Sequence, residues 1–129
     1  MYNETEKTIV LSSLGKTWIL DLDGTIVKHN GYKIDGEDTL LDGAISFFKQ
    51  IAAEDKVIFL TSRSIELKEK TETFLLSQGI RYDAILYEMP FGERILVNDK
   101  KPSGLHTAIA VNTERDVFMD EMFVVDKML

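Results

Sequence analysis

The chain has 129 residues, a net charge of −7 and 44% hydrophobic residues, which bounds it to one globular domain with enough apolar side chains for a sizeable core. It contains no cysteine, which excludes disulfides, thiolate catalysis and zinc-thiolate sites. The acidic balance argues against a nucleic-acid binder, no apolar run approaches a membrane span, and the non-basic start Met1-Tyr2-Asn3-Glu4 points to a cytoplasmic protein.

In chain order, residues 8–14 suit a short strand or an ordered arm. Residues 17–22 read as a buried strand, ending in the aspartates Asp21 and Asp23 and followed at once by Gly24-Thr25. Gly24 permits a sharp reversal there, so two carboxylates are held together at a sheet edge, which is costly unless a cation or a proton relieves them. Residues 26–39 are polar and contain Asn30-Gly31, the strongest short hairpin signal, with Tyr32 and Ile34 alternating after it. They predict a β-hairpin flap.

Leu41, Ala44, Ile45, Phe48 and Ile51 follow helical spacing, with Asp42 or Asp38 as candidate caps. Val57-Ile58-Phe59-Leu60 predicts a buried parallel strand ending in Thr61-Ser62-Arg63. Ser64 can cap a helix whose Leu67, Thr71, Phe74 and Leu75 share a face, and Gly79 can close it. Ala84–Leu86, Arg94–Val97 and Thr107–Val111 predict three further strands, the second running into Asn98-Asp99-Lys100-Lys101-Pro102. The tail, 113–129, holds Val117, Phe118, Met122, Phe123 and Val125, enough for a docked helix or strand. Alternating strands and helices indicate an α/β fold. One junction is awkward: between Leu86 and Arg94 there is no room for a crossover helix; a hairpin fits the length but sends Asp99 to the opposite end of the sheet from Asp21, so a shared site requires the Tyr87–Glu93 link to be an extended crossover.

Asp21-Leu22-Asp23-Gly24-Thr25 resembles motif I of the haloacid dehalogenase (HAD) superfamily in its phosphatase form, Asp-x-Asp-Gly-Thr. Seen alone, the same run could be a turn with a capping residue. The resemblance spans about residues 17–112. It implies a Rossmann-like HAD core with a mainly parallel five-stranded sheet, helices on both faces, the flap at 26–39 and no cap domain, since neither interval between motifs can hold one. It also implies roles. Asp21 is the nucleophile that forms an aspartyl-phosphate, and Asp23 is the acid and base that serves the leaving oxygen and then the hydrolytic water.

By the same resemblance Thr61 is the motif II hydroxyl. Thr61, Ser62 and the amides opening the next helix bind a phosphoryl oxygen, and Arg63 adds a cation. Asp99, with Asn98 where the family pattern has an acidic residue or Gly, joins Asp21 and Asp23 in holding Mg²⁺. The motif III lysine has no counterpart before motif IV, and Lys100 or Lys101 could replace it, with Arg94 less well placed. Lys28, His29 and Lys33 also lie beside the site segments. The pattern is similar to small HAD phosphatases encoded with bacterial surface-polysaccharide genes. The expected activity is Mg²⁺-dependent hydrolysis of a small phosphorylated metabolite such as a sugar phosphate. Phosphotransfer to an acceptor other than water, and a catalytically silent HAD-like binding or regulatory subunit, share the same motifs. A homo-oligomer that covers the open site with flap or tail is a further expectation, against a tail that packs on its own domain.

Overall fold

The computed structural model describes residues 8–129 and the backbone of residues 2–3; residues 1 and 4–7, part of the N-terminal stretch read above, lie outside the described residues. In chain order the elements are β1 (Tyr2–Asn3), β2 (Thr8–Leu11), β3 (Thr17–Asp21), α1 (Gly31–Ile34), α2 (Ala44–Gln50), β4 (Lys56–Leu60), α3 (Lys68–Ser77), β5 (Ala84–Leu86) and β6 (Met122–Val125). They fall into two compact units. The larger comprises Gly15–Phe91 with Thr113–Met119, and the smaller comprises the chain up to Leu14, Gly92–Asn112 and Asp120–Leu129. No helix among the described residues is long and apolar enough to cross a membrane.

The larger unit is α/β, with a parallel sheet in the order β3-β4-β5. Trp18 pairs with Val57, Asp21 with Leu60 and Leu60 with Leu86, so the three carboxyl ends share one edge. Val57 and Phe59 alternate along β4 and are fully buried, in one cluster with Ala44 of α2 and Leu75 of α3. Side chains two apart on a strand share a face, so both helices cover the same face of this sheet, not opposite faces as expected. The cause is the strand order. Successive right-handed crossovers that advance in one direction return on one side. The other face presents Ile19, Ile58 and Leu60, of which Ile19 is about half exposed at 47%.

The sheet has three strands, where five are expected. Arg94–Val97 and Thr107–Val111 lie in the smaller unit and form no ladder. Ile95 and Val97 are 85% and 88% exposed, and an apolar run becomes a parallel strand only when both its faces are covered. After β5 the chain turns back at Glu88, whose φ is 60, and is tied to the end of β4. Thr61 N donates to Leu86 O at 2.9 Å, Glu88 N to Arg63 O at 2.9 Å and Met89 N to Thr61 O at 3.0 Å.

The helix ends follow local chemistry. Ser64 Oγ accepts from Glu66 N at 3.2 Å and opens the 3-10 turn Ile65–Leu67 that leads into α3. At its exit Gly79 N donates to Leu76 O and Ile80 N to Leu75 O, both at 3.0 Å, a Schellman closure that places Gly79 at φ 73. Neither Asp38 nor Asp42 caps α2. The N-cap is Gly43, at φ 95 and without a side-chain bond, and the Phe118 ring would stand 3.3 Å from a Cβ there. Phe118 in turn packs on Phe47, with ring centroids 5.6 Å apart, and seats the Thr113–Met119 segment in this unit.

The flap is closed at its base as expected, since Val27 pairs antiparallel with Leu40 and Lys28 N donates to Thr39 O at 2.9 Å. Its tip is the single turn α1, not a hairpin. A type I′ turn needs positive φ at both central residues; Asn30 has it, at 56°, and Gly31 does not.

In the smaller unit β2 pairs antiparallel with β1 and parallel with β6. The expected N-terminal strand is thus β2, and the apolar tail divides: Phe118 belongs to the larger unit, whereas Met122–Val125 forms β6.

Candidate active site

Asp21 is the last residue of β3, and the loop after it is wound tightly. Leu22 O accepts from the backbone N of Thr25, Ile26 and Val27 at 3.3, 2.9 and 3.1 Å, while Gly24, at φ 81, donates to Val27 O at 2.7 Å. The winding returns Thr25 to Asp21, and Thr25 Oγ1 donates to Asp21 Oδ2 at 2.9 Å. One carboxylate oxygen is thereby oriented at the carboxyl edge of the sheet, where open α/β sheets place their sites.

Arg63, two residues past β4, is the hub beside it. Its Nε and Nη2 donate to the two oxygens of Asp23 at 3.0 and 2.8 Å. Nη1 and Nη2 donate to the two oxygens of Asp38 at 3.0 and 2.7 Å, and Nη1 donates also to Thr71 Oγ1 at 2.9 Å. A guanidinium has five N–H donors, and all are used. The Tyr32 ring of α1 lies against it, 4.3 Å from the guanidinium carbon to the centroid. Burial, the largest influence, works against the charge, but the hydrogen bonds to Asp23 and Asp38 outweigh it and hold Arg63 above its ordinary pKa. The expectation that Arg63 offers its charge to a phosphate does not fit this geometry, because no N–H remains to make the contact. Arg63 instead joins the loop after β3, the flap and α3.

Thr61 is buried, with Oγ1 accepting from Arg63 N at 3.1 Å, so its hydroxyl hydrogen remains for a further acceptor. The amides of Thr61, Arg63, Ile65 and Glu66 are committed, to Leu86 O, Thr61 Oγ1, Glu88 Oε2 and Ser64 Oγ. Those of Ser62 and Ser64 carry no such bond among the described residues.

Asp21, Asp23, Thr61, Ser62 and Arg63 are thus gathered at one sheet edge. Asn98, Asp99, Lys100 and Lys101 belong to the smaller unit and are exposed. There Lys101 N donates to Leu105 O at 2.9 Å, Gly104 N to Lys101 O at 2.8 Å, and Thr107 Oγ1 to Asp99 O. No group of three or more His, Asp or Glu side chains placed to hold a metal stands among the described residues. Lys28 pairs with Asp35 at 3.0 Å, and Lys33 lies 5.7 Å from the Tyr32 centroid.

Sequence reasoning passes over Asp38, which it treats only as a helix cap, and over Thr71 and Tyr32 as partners of Arg63. Nothing local marks Asp38, since its partner is 25 residues away in sequence. A second polar cluster lies behind the site. Glu72 accepts from Lys68 at 2.5 Å, from Tyr87 at 2.9 Å and from Tyr82 at 3.0 Å. The Lys68 bond, more than burial opposes it, lowers the Glu72 pKa, and burial followed by Glu72 raises those of both tyrosines. A groove of about 480 Å³ runs between flap and α3, lined by Glu37, Asp38, Glu66, Glu69, Lys70 and Thr73 among others; it shares only Asp38 with the site.

No protein-family model matches the sequence, and no curated protein matches it. Among solved structures the chain is similar to one from the "Pnkp1/Rnl/Hen1 complex", with 32% identity over 64% of this chain and a TM-score of 0.50. It spans 31% of that chain's length.

Proposed function

We propose that this chain is a capless HAD-type phosphatase: a Mg²⁺-dependent phosphomonoester hydrolase that works through an aspartyl-phosphate on a small phosphorylated metabolite of the sugar-phosphate kind. The larger unit then corresponds to most of a Rossmann-like HAD core, in a cytoplasmic enzyme. The observation that carries the reading is Asp21 itself. It ends a parallel strand, Thr25 orients it, and it stands at the edge that also bears Thr61 and Asp23.

In the first step an Asp21 oxygen attacks phosphorus, the ester P–O bond breaks, and the leaving oxygen takes a proton. In the second, water displaces Asp21 and gives up a proton. Asp23 is the acid and base of both steps. Arg63 fixes where Asp23 stands, and a lone pair on each Asp23 oxygen remains for the proton. Thr61 Oγ1 and the Ser62 amide are the donors for a non-bridging phosphoryl oxygen.

The donors near Asp21 suit a hard cation. They are a carboxylate and the Asp23 carbonyl, all oxygen, and Mg²⁺ keeps several waters in its shell. Asp21 and the Asp23 carbonyl are the residues of the larger unit that would hold the ion. Its charge would allow a phosphate dianion to approach clustered carboxylates.

One observation favours a competing reading. Both Asp23 oxygens are bonded to Arg63, and an Asp23 whose role is only to hold that hub would leave the chain a catalytically silent binding or regulatory subunit. The likeness to a chain of the Pnkp1/Rnl/Hen1 complex, of which this chain spans 31%, supports the α/β reading and suits a module acting within a longer protein or an assembly. Phosphate release from a panel of sugar phosphates, with and without Mg²⁺, tests the reading. Hydrolysis supports it, transfer to an added polyol indicates a phosphotransferase, and neither supports the silent subunit.

A further inference from the structure

The carboxylates Asp23 and Asp38 share the cation Arg63, which has no donor left for a ligand, and Asp21 stands on the same sheet edge as Asp23. Arg63 therefore offers an anionic substrate nothing, and any protein cation that assists Mg²⁺ at this edge must come from another part of the chain. The Thr113–Met119 segment supplies one. It is far away in sequence yet locked onto the motif I loop: Asp116 N donates to Gly24 O at 2.8 Å, and Asp116 Oδ1 accepts from His29 N at 2.6 Å.

Asp116 holds φ 65 in doing so, an unusual backbone state for a non-glycine residue, stabilised here by bonds on both sides. Phe118 anchors the segment on Phe47 and Gly43. Just before these two anchors Arg115 lays its stem over Gly24, with Cγ 3.3 Å from where a Cβ would stand and His29 Cβ at 3.6 Å. Arg115 is exposed and enters no ion pair among the described residues. The other cations around the loop are engaged, Lys28 with Asp35, and Lys33 and Lys70 with the Tyr32 ring.

We infer that Arg115 is an anion-binding residue of this site, contributing charge-assisted hydrogen bonds to the phosphate of a substrate held beside Asp21. The inference rests on the proposed phosphatase reading for the identity of the anion, and on the geometry of the stem over Gly24 for the place of the residue.

The test is calorimetric titration of the full chain with inorganic phosphate in the presence of Mg²⁺, alongside steady-state hydrolysis. Arg115→Gln keeps most of the stem over Gly24 while removing the charge, and Arg115→Lys keeps a charge without the fork. Circular dichroism checks that each variant retains the fold. Loss of a charge-assisted contact should weaken phosphate binding about ten- to a hundredfold in Arg115→Gln, with partial recovery in Arg115→Lys. If the protein hydrolyses phosphomonoesters, KM should rise in the same proportion. Phosphate binding unchanged in Arg115→Gln overturns the inference even if hydrolysis is present. Arg115-dependent phosphate binding without hydrolysis supports it while removing the phosphatase reading. Phosphate binding undetectable in the wild-type chain overturns it as well.

Discussion

Asp38→Asn should destabilise the protein far more than its single-atom change suggests. The Asp38 and Arg63 side chains are each 2% exposed, and Asp38 receives two of the five guanidinium N–H groups. Asparagine keeps one acceptor and turns an NH₂ toward the other donor. Breaking a buried pair by removing one partner costs about 3–5 kcal/mol, because the other charge stays buried. Asp23 still holds Arg63 and is 20% exposed, so the lower end, about 3 kcal/mol, applies here. For a chain of this size that is a fall in Tm of about 10 °C. The control is Asp35→Asn, which breaks the Lys28 pair, 42% exposed on both sides, and should cost under about 0.5 kcal/mol. Urea denaturation followed by circular dichroism compares the two. Equal, small losses would refute the view of Arg63 as a buried hub.

Three further outcomes are expected. Gly24→Ala should lose about 1–2 kcal/mol, since φ 81 is disfavoured for any residue with a Cβ and the Arg115 stem must also move; thermal melts read it. Glu72→Gln should be less stable than wild type at neutral pH. Because the folded pKa of Glu72 lies below its usual 4.5, the gap should close as pH falls through that lowered value, and a gap independent of acid would contradict the assignment. Activity should vanish in excess chelator and return with Mg²⁺; full turnover in chelator removes the metal from the account.

How much of this was legible in the sequence depends on the range of the interactions. β3, β4, β5, α2 and α3 follow from apolar periodicity, and Ser64 and Gly79 mark their ends by local bonds that a sequence displays directly. The positions of Asp21 and Thr61 follow too, because parallel strands put their carboxyl ends on one edge. Arg94–Val97 and Thr107–Val111 carry the same apolar signal as β4 but form no ladder, since pairing depends on a neighbour that periodicity cannot name. The flap tip shows the limit of a dipeptide rule: Asn30-Gly31 promises a hairpin, and a helical φ at Gly31 starts α1 instead. Arg63 was legible as a cation near the site but not as a saturated one, because Asp38 and Thr71 reach it from separate elements. Arg115 was hidden for the same reason, its place set by the long-range bonds of Asp116 and the packing of Phe118.

The central claim is that Asp21 is a nucleophile that takes up a phosphoryl group, and intact-protein mass spectrometry of rapidly acid-quenched reactions tests it most directly. Wild-type protein mixed with Mg²⁺ and a hydrolysed sugar phosphate should show a fraction carrying one added phosphoryl group, mapped to the peptide containing Asp21. Asp21→Asn, folded by circular dichroism, should show neither the adduct nor phosphate release. Near wild-type turnover by Asp21→Asn, or a phosphoryl group mapped to another residue, would contradict the account.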